Sequence, residues 1–184
     1  MKITGKIFWQ QAMKGGTIIG LVVILMSALR FIIEPSGILR TIFSIVNIGL
    51  FVYLIYFFTN QLSKKADPAE GFSYGRCVGF SVCMMLFVGF LTGIYQYLMN
   101  NFIAPHVLEE TLEASMSILD GMIPYNESDT YFLMMKNMQT NLFFLIFAGL
   151  FGYIIYGTIA GLITSAFAKK DPNVFAREDD EEDD

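Results

Sequence analysis

The stretch NLFFLIFAGLFGYIIYGTIAGLITSAFA, from Asn141 to Ala168, decides the fold, because its 28 residues carry no charge. An α-helix of that length spans about 42 Å, which exceeds the roughly 30 Å hydrocarbon core of a bilayer. The stretch therefore predicts a transmembrane helix that is tilted or projects from the membrane. It also contains many small residues, which let helices approach closely in lipid. These are Gly149, Gly152, Gly157, Ala160, Gly161, Thr164, Ser165 and Ala168.

The composition places the whole chain among polytopic membrane proteins. Apolar residues make up 54% of the chain and charged residues only 16%, against about 25% in a soluble domain. The mean hydropathy is +0.53. The net charge is −5, but the last seven residues, Glu178 to Asp184, are all acidic, and removing them leaves +2. This pattern excludes the basic surface expected of a nucleic-acid-binding protein.

Breaks in the apolar pattern divide the chain into an all-α fold of four transmembrane helices arranged as two antiparallel hairpins. Pro35, Ser36 and Gly37 separate the first two spans, and Pro105 ends the third. We expect a basic interfacial N-terminus at 1–14 and an acidic disordered tail at 169–184. Between them, four spans are expected at about 15–33, 38–62, 77–104 and 141–168. An outer excursion at 105–139 connects the third span to the fourth.

The outer excursion contains a second kind of helical pattern. Leu108 and Leu112 recur at helical spacing on the face opposite Glu109, Glu110 and Glu113, which predicts an extracytoplasmic amphipathic helix of about 15 residues. A further helix is predicted to begin near Thr130 and to continue without a break into the fourth span. That helix would approach 40 residues and about 60 Å, so it would protrude from the bilayer.

Glycines in the third and fourth spans indicate where two helices approach closely. Pairs of glycines four residues apart place small residues on one helix face, the arrangement that favours helix association in lipid. We expect eight glycines to pack between these two helices: Gly75, Gly79, Gly89, Gly93, Gly149, Gly152, Gly157 and Gly161.

Residues suited to catalysis or metal binding are sparse. Cys77 and Cys83 are six positions apart, so they face different sides of a helix and are interpreted as packing residues. His106 is the only histidine and follows Pro105 at a helix boundary. No carboxylate lies inside a predicted span, which disfavours an ion-coupled transporter. We therefore expect no catalytic residue, no metal site, no cofactor and no enzymatic activity.

Three polar residues, Arg30, Asn47 and Gln96, are predicted to lie in the outer half of the membrane. One interpretation is that the uncharged polar groups of the spans form interhelical hydrogen bonds, because polar groups in lipid need partners. These groups are Asn47 and Gln96, together with Tyr53, Tyr56, Tyr153 and Tyr156 near the midplane. Another is that Arg30, Asn47 and Gln96 form a polar vestibule, open to the outside, that holds a lipid headgroup. Arg30 also precedes Glu34 by four residues, so an interfacial ion pair is expected between them.

The distribution of lysine and arginine predicts the orientation. Nine of these residues fall on the side of the termini: Lys2, Lys6, Lys14, Lys64, Lys65, Arg76, Lys169, Lys170 and Arg177. Three fall on the other side: Arg30, Arg40 and Lys136. Because cytoplasmic loops carry the excess of positive charge, both termini are predicted to be cytoplasmic.

Two motifs carry a resemblance to a known family. The segment from Gly71 to Arg76, GFSYGR, opens the third span, and SAFAKK, from Ser165 to Lys170, closes the fourth after an acidic, methionine-rich excursion. In that order they resemble the domain-of-unknown-function family 4199, over roughly residues 10 to 172. The resemblance implies a small bacterial inner-membrane protein of four helices and implies no activity, cofactor or catalytic residue. The acidic tail departs from the family pattern.

These observations favour a non-enzymatic scaffold or accessory subunit in the bacterial cell envelope. The small-residue faces, the acidic tail and the outer excursion all suit contacts rather than chemistry. The alternative is a small transporter or a protein that handles lipid headgroups. Expected partners are membrane lipids and either another protein or further copies of the chain, with no nucleic acid. The expected location is the inner (plasma) membrane, with multiple passes.

Overall fold

A computed structural model describes residues 3–33, 36–119 and 128–173 of the chain. The described part is helical and contains no strand beyond one isolated bridge, between Phe72 and Lys170. Its helices are α1 (Gly5–Ile33), α2 (Gly37–Lys64), α3 (Tyr74–Leu98), α4 (Pro105–Leu119), α5 (Ser128–Thr140) and α6 (Leu142–Ala168), and a π-helical turn, Met99–Ile103, extends α3.

Four of these helices are long and apolar enough to cross a membrane: α1, α2, α3 with its π turn, and α6. The all-α class is therefore confirmed, and the described residues contain the four candidate membrane-spanning helices that the sequence predicts. The second span, expected at 38–62, is the helix Gly37–Lys64. The first span is longer than expected, because α1 begins at Gly5 and includes most of the basic N-terminal segment.

The most extensive interface joins α3 to α6, and these two helices run antiparallel. Gly89 lies against Gly149, whereas Ser81, earlier in α3, lies against Gly161, later in α6. The first helix packs on α3, where the rings of Phe8 and Phe80 are 5.4 Å apart. The second helix packs on α6 and more lightly on α1. The four long helices therefore form a closed bundle, in which α1 contacts both α3 and α2, and α6 also contacts both α3 and α2.

The two ends of the bundle differ in how tightly they pack. We call the end that holds the start of α1 and the end of α6 the base, and the end that holds α4 and α5 the cap. In α1 the buried residues lie between Ala12 and Gly20, and in α2 between Ile55 and Ser63, all in the base half. The described cap halves of both helices contribute no buried residue, so the hydrophobic core is concentrated near the base.

At the base, two short segments that follow α2 and α6 are joined by backbone hydrogen bonds. The N–H of Phe72 donates to Lys170 O at 2.8 Å, and the N–H of Lys170 donates back at 3.0 Å. Gly71 adopts a φ of +64°, and a Cβ atom there would lie 2.7 Å from Lys170 O and from the nitrogen of Pro172. Only glycine suits both the left-handed backbone and this close approach.

The predicted continuous helix from Thr130 into the fourth span is wrong, because the chain breaks at Asn141. This residue is extended, with φ −88° and ψ 119°, and its side-chain oxygen accepts a hydrogen bond from the N–H of Phe144. Asparagine competes in this way with the helix backbone and is a preferred N-cap. The result is two helices, α5 and α6, in place of one that would protrude.

Two expectations lie outside the described residues. The acidic stretch of the C-terminal tail, Glu178 to Asp184, follows the last described residue, Asn173. Glu34 is also outside the described residues, so its ion pair with Arg30 stays a prediction.

Candidate functional site

The central α3–α6 interface is built on glycines whose backbones touch. A Cβ atom at Gly89 would lie 2.7 Å from Gly149 O, and one at Gly93 would lie 2.7 Å from the Cα of Ile146. Backbone contact of this kind gives dense van der Waals packing, which is the main attraction between helices in lipid. Further towards the base, Gly157 lies against the side chain of Met85, and Gly161 lies against Ser81.

Three of the glycines expected at this interface take no part in it. A Cβ atom at Gly75, Gly79 or Gly152 would meet no described atom within 4 Å. The spacing of glycines along a helix indicates a small-residue face, but it does not indicate which way that face points. The packing role predicted for these three residues is therefore corrected.

Three glycines of α1 were missed by the sequence reasoning. Gly15, Gly16 and Gly20 are all buried and lie against α3, and a Cβ atom at Gly20 would be 2.9 Å from the side chain of Leu91. The signal was present in the sequence, because Gly16 and Gly20 are four residues apart. The bundle therefore has a second close helix contact, between α1 and α3.

Buried hydroxyl groups and a tyrosine connect the helices near the base. The Oγ1 of Thr59 and the Oγ of Ser81 are 3.3 Å apart, which joins α2 to α3. The hydroxyl of Tyr74 donates to Leu162 O at 2.8 Å, which joins α3 to α6. These contacts match the interpretation of interhelical hydrogen bonding, although they use other residues than those predicted.

A cavity of about 660 Å³ lies at the cap, between α1, α3, the π turn, α4 and α5. Its volume is in the range of about 300–1,000 Å³ that is common for small-molecule sites. We call it the cap cavity. Its polar side chains include Ser27, Arg30, Tyr95, Gln96, Asn100 and Glu110, and its apolar ones include Phe31, Met99 and Leu112.

The cap cavity brings together two of the three residues predicted for a polar vestibule. Arg30 and Gln96 both line it, and both are exposed. Asn47 does not line it, and is half-buried on the cap half of α2. The vestibule prediction is corrected at this position, because counting from span ends gives the depth of a residue but not the direction in which it points.

A chain of amide hydrogen bonds forms one wall of the cavity. Gln96 Nε2 donates to Asn100 Oδ1 at 2.8 Å, and Asn100 Nδ2 donates to Gln139 O at 2.6 Å. Asn100 lies in the π turn, which is closed by a hydrogen bond from the N–H of Ala104 to Met99 O at 2.9 Å. The wall therefore connects α3 to the end of α5. Single π turns occur frequently at functional sites.

One polar group of the cavity wall is unsatisfied. The hydroxyl of Tyr95 is buried and has no hydrogen-bond partner among the described residues. A buried polar group without a partner costs about 1–3 kcal/mol, so such groups call for an explanation such as an unseen ligand or water. Sequence reasoning missed Tyr95, because tyrosines are common at membrane interfaces and nothing in the pattern distinguishes this one.

The amphipathic helix α4 forms the outer wall of the cavity and is held there by two contacts. Its apolar face buries Leu112, and Lys136 of α5 donates to Glu109 Oε1 at 2.6 Å. The hydrogen bond and the positive charge of Lys136 lower the pKa of the exposed Glu109 carboxyl below its ordinary value. Glu110, the next residue, lines the cavity and forms no ion pair with any described residue.

Comparison with known proteins gives one family and no characterised relative. A family model described as "Protein of unknown function (DUF4199)" matches residues 14–170, which confirms the resemblance carried by the two motifs. The match includes most of α1, all of α2 to α6 and the bridge at Lys170. No curated protein and no solved structure matches the chain.

Proposed function

The chain belongs to the DUF4199 family of proteins of unknown function, and we propose that it is a non-enzymatic scaffold or accessory subunit in the bacterial cell envelope. The cap half of α2 carries this proposal. From Gly37 to Leu54 it has no buried residue, and Ile38 is 79% exposed. This half of the helix is therefore free to pack against another membrane protein.

Asn47 is the residue that makes a protein partner the better explanation than lipid alone. Its amide forms no hydrogen bond with the described residues, although it lies about 15 Å along the helix from Gly37. Acyl chains cannot satisfy an amide, and polar side chains at this depth commonly bond across helices. A partner helix that supplies a donor and an acceptor would satisfy it.

Cross-linking of native membranes followed by mass spectrometry tests the proposal. We expect a defined larger membrane protein to be cross-linked and to co-purify in mild detergent. Asn47→Leu should reduce its recovery, because it replaces the amide with an apolar group of similar size that cannot form a hydrogen bond with the partner. Val46→Leu, a conservative change at the exposed neighbouring position, is the control. Equal recovery with wild type and Asn47→Leu, or no defined partner, would contradict the proposal.

The same proposal includes the orientation in the membrane. Both termini are cytoplasmic, the spans form two antiparallel hairpins, and α4 lies outside the cytoplasm. The described basic residues at the base are Lys6, Lys14, Lys64, Lys65, Arg76, Lys169 and Lys170, and those towards the cap are Arg30, Arg40 and Lys136. The excess at the base supports this orientation.

Cysteine labelling tests the orientation in cells. In a variant with Cys77→Ala and Cys83→Ala, a cysteine introduced by Ser117→Cys lies on the exposed surface of α4, and one introduced by Asn173→Cys lies at the base. A maleimide that cannot cross the inner membrane should label the first and not the second. The reverse pattern would invert the orientation.

The second candidate function is a small transporter or a protein that handles lipid headgroups, and the cap cavity favours it. The cavity has the volume of a ligand site and contains the guanidinium of Arg30. Under this function Arg30→Ala should remove lipid that co-purifies with the protein, and the protein should run as a homo-oligomer without a larger partner. Unchanged lipid content with Arg30→Ala would exclude headgroup handling at this cavity.

A further inference from the structure

We infer that the cap cavity binds the headgroup of a zwitterionic phospholipid with a primary amine, with Arg30 contacting the phosphate and Glu110 the ammonium. The inference rests on the headgroup-handling function given above as the second candidate. It adds the class of lipid and assigns α4 a part in recognising it.

The first step is the charge of the cavity. Arg30, from α1, and Glu110, from α4, both line it, and neither forms an ion pair with a described residue. The neighbouring Glu109 is different, because Lys136 already pairs with it at 2.6 Å. Within the described residues, the guanidinium of Arg30 and the carboxylate of Glu110 are therefore left without an ion-pair partner on two walls of the same cavity, and together they complement a ligand that carries both charges.

The second step is the phosphate end of the ligand. Arg30 is three residues before the end of α1, or about 4.5 Å along the helix, which places it near the membrane surface where headgroup phosphates lie. A guanidinium binds phosphate with two parallel hydrogen bonds. The buried hydroxyl of Tyr95 has no partner among the described residues, and a phosphate oxygen would accept its hydrogen bond.

The third step is the amine end. Glu110 is held beside the cavity because α4 packs through Leu112 and through the ion pair of Glu109. A carboxylate can accept hydrogen bonds from a primary ammonium, which has three N–H donors. A quaternary choline has no N–H to donate, and a glycerol headgroup has no positive charge. Glu110 should therefore select phosphatidylethanolamine over phosphatidylcholine and phosphatidylglycerol.

The test uses the full-length protein in nanodiscs that contain these three phospholipids in equal amounts. Lipids retained after mild detergent extraction are quantified by mass spectrometry. We expect wild type to retain phosphatidylethanolamine preferentially. Arg30→Gln should lower retention of all three lipids about tenfold, the effect expected when one charged hydrogen-bonding group is lost. Glu110→Gln should keep phospholipid retention but remove the preference for the ethanolamine headgroup.

Matched controls separate the site from a general charge effect. Arg40→Gln and Glu113→Gln make the same changes of charge at exposed residues that do not line the cavity, and they should behave as wild type. Tyr95→Phe removes only a hydroxyl and should lower phospholipid retention without loss of folded protein. It keeps the test informative if Arg30→Gln fails to fold.

The possible results distinguish the inference from the function on which it rests. If Glu110→Gln keeps the ethanolamine preference, or if wild type has none, the inference is wrong and headgroup handling stands. If Arg30→Gln and Tyr95→Phe both retain lipid as wild type does, the inference and headgroup handling both fail. If soluble phosphoethanolamine displaces the lipid at micromolar concentration, the natural ligand is soluble and the lipid assignment is overturned.

Discussion

The contact between Gly89 and Gly149 should limit the stability of the whole bundle, and Gly89→Ala tests this directly. The added Cβ would lie 2.7 Å from Gly149 O and 2.8 Å from the Cα of Leu150, both backbone atoms that no change of rotamer can move. Ordinary van der Waals contact begins at 3.4 Å, so α3 and α6 must separate by about 0.7 Å and lose part of their dispersion contact.

The magnitude follows from two opposing effects. Overpacking of a close interface costs about 1–3 kcal/mol. Alanine in place of glycine favours a helix interior by up to about 1 kcal/mol. With the full helix gain subtracted, the net prediction for Gly89→Ala is a loss of up to about 2 kcal/mol in the free energy of unfolding. Gly152→Ala is the matched control, because its Cβ would meet no described atom within 4 Å, and it should be neutral or slightly stabilising.

The assay is reversible unfolding in mixed micelles of a mild detergent and dodecyl sulfate, followed by far-UV circular dichroism. Gly157→Ala adds a third comparison, because its Cβ would crowd the Cγ of Met85 and would lie 2.8 Å from the Cβ of Met85, an atom that no change of rotamer can move. Its loss should therefore be similar to that of Gly89→Ala and larger than that of Gly152→Ala. If Gly89→Ala unfolds at the same dodecyl sulfate fraction as Gly152→Ala, backbone contact does not limit stability and the reasoning is refuted.

Three further predictions concern the cap and the base. Asn141→Ala removes an N-cap worth about 1 kcal/mol, so it should favour one continuous helix. This change should appear as slower hydrogen exchange of the backbone around residue 141, and unchanged exchange would contradict the prediction. Because the pKa of Glu109 is lowered in the folded protein, its pairing with Lys136 stabilises the contact between α4 and α5 fully above the ordinary carboxyl pKa of 4.5. This stabilisation is lost as pH falls through the lowered pKa. Hydrogen exchange of α4 should therefore rise at acid pH, and Glu109→Gln should remove that dependence. Gly71→Ala places a side chain at a positive φ and against backbone atoms, so it should expose the base segments to protease. Gly37→Ala is the control, because Gly37 also has a positive φ, +55°, but its Cβ would meet no described atom within 4 Å, and it should not increase cleavage. Equal cleavage of the two variants would contradict the prediction.

The spans could be predicted from the sequence because the information for them is local. A run of residues without charge, such as the one that forms α2, suffices to define a helix that crosses a bilayer. The break at Asn141 depends on one side chain competing with the backbone inside a run that is otherwise helical. The hydropathy of the run does not change at Asn141, so it predicts one continuous helix where the structure has a break between two helices.

The glycine contacts and the cavity could be predicted only in part. Both depend on the direction in which a residue points from its helix axis, as well as on its depth in the membrane. Gly16 and Gly79 belong to similar patterns, yet only the first faces another helix. Arg30 and Gln96 were identified by depth, and Asn47 at a similar depth points elsewhere. Glu110 enters the site only because the chain returns after the π turn and lays α4 across it, which no local pattern encodes.

The fold separates the part that sets stability from the part proposed to bind ligand. The close glycine contacts and buried hydroxyls reach towards the base, whereas the cap cavity is lined by the last turns of α1 and α3. From Ser81 to Gln96 the distance along α3 is about 22 Å, and effects of mutations more than about 7–10 Å apart usually add. A base variant such as Gly161→Ala should therefore lower stability without changing lipid preference, and Glu110→Gln should do the opposite. If Gly161→Ala also removes the ethanolamine preference, the two ends are coupled, and the cavity responds to the packing of the whole bundle.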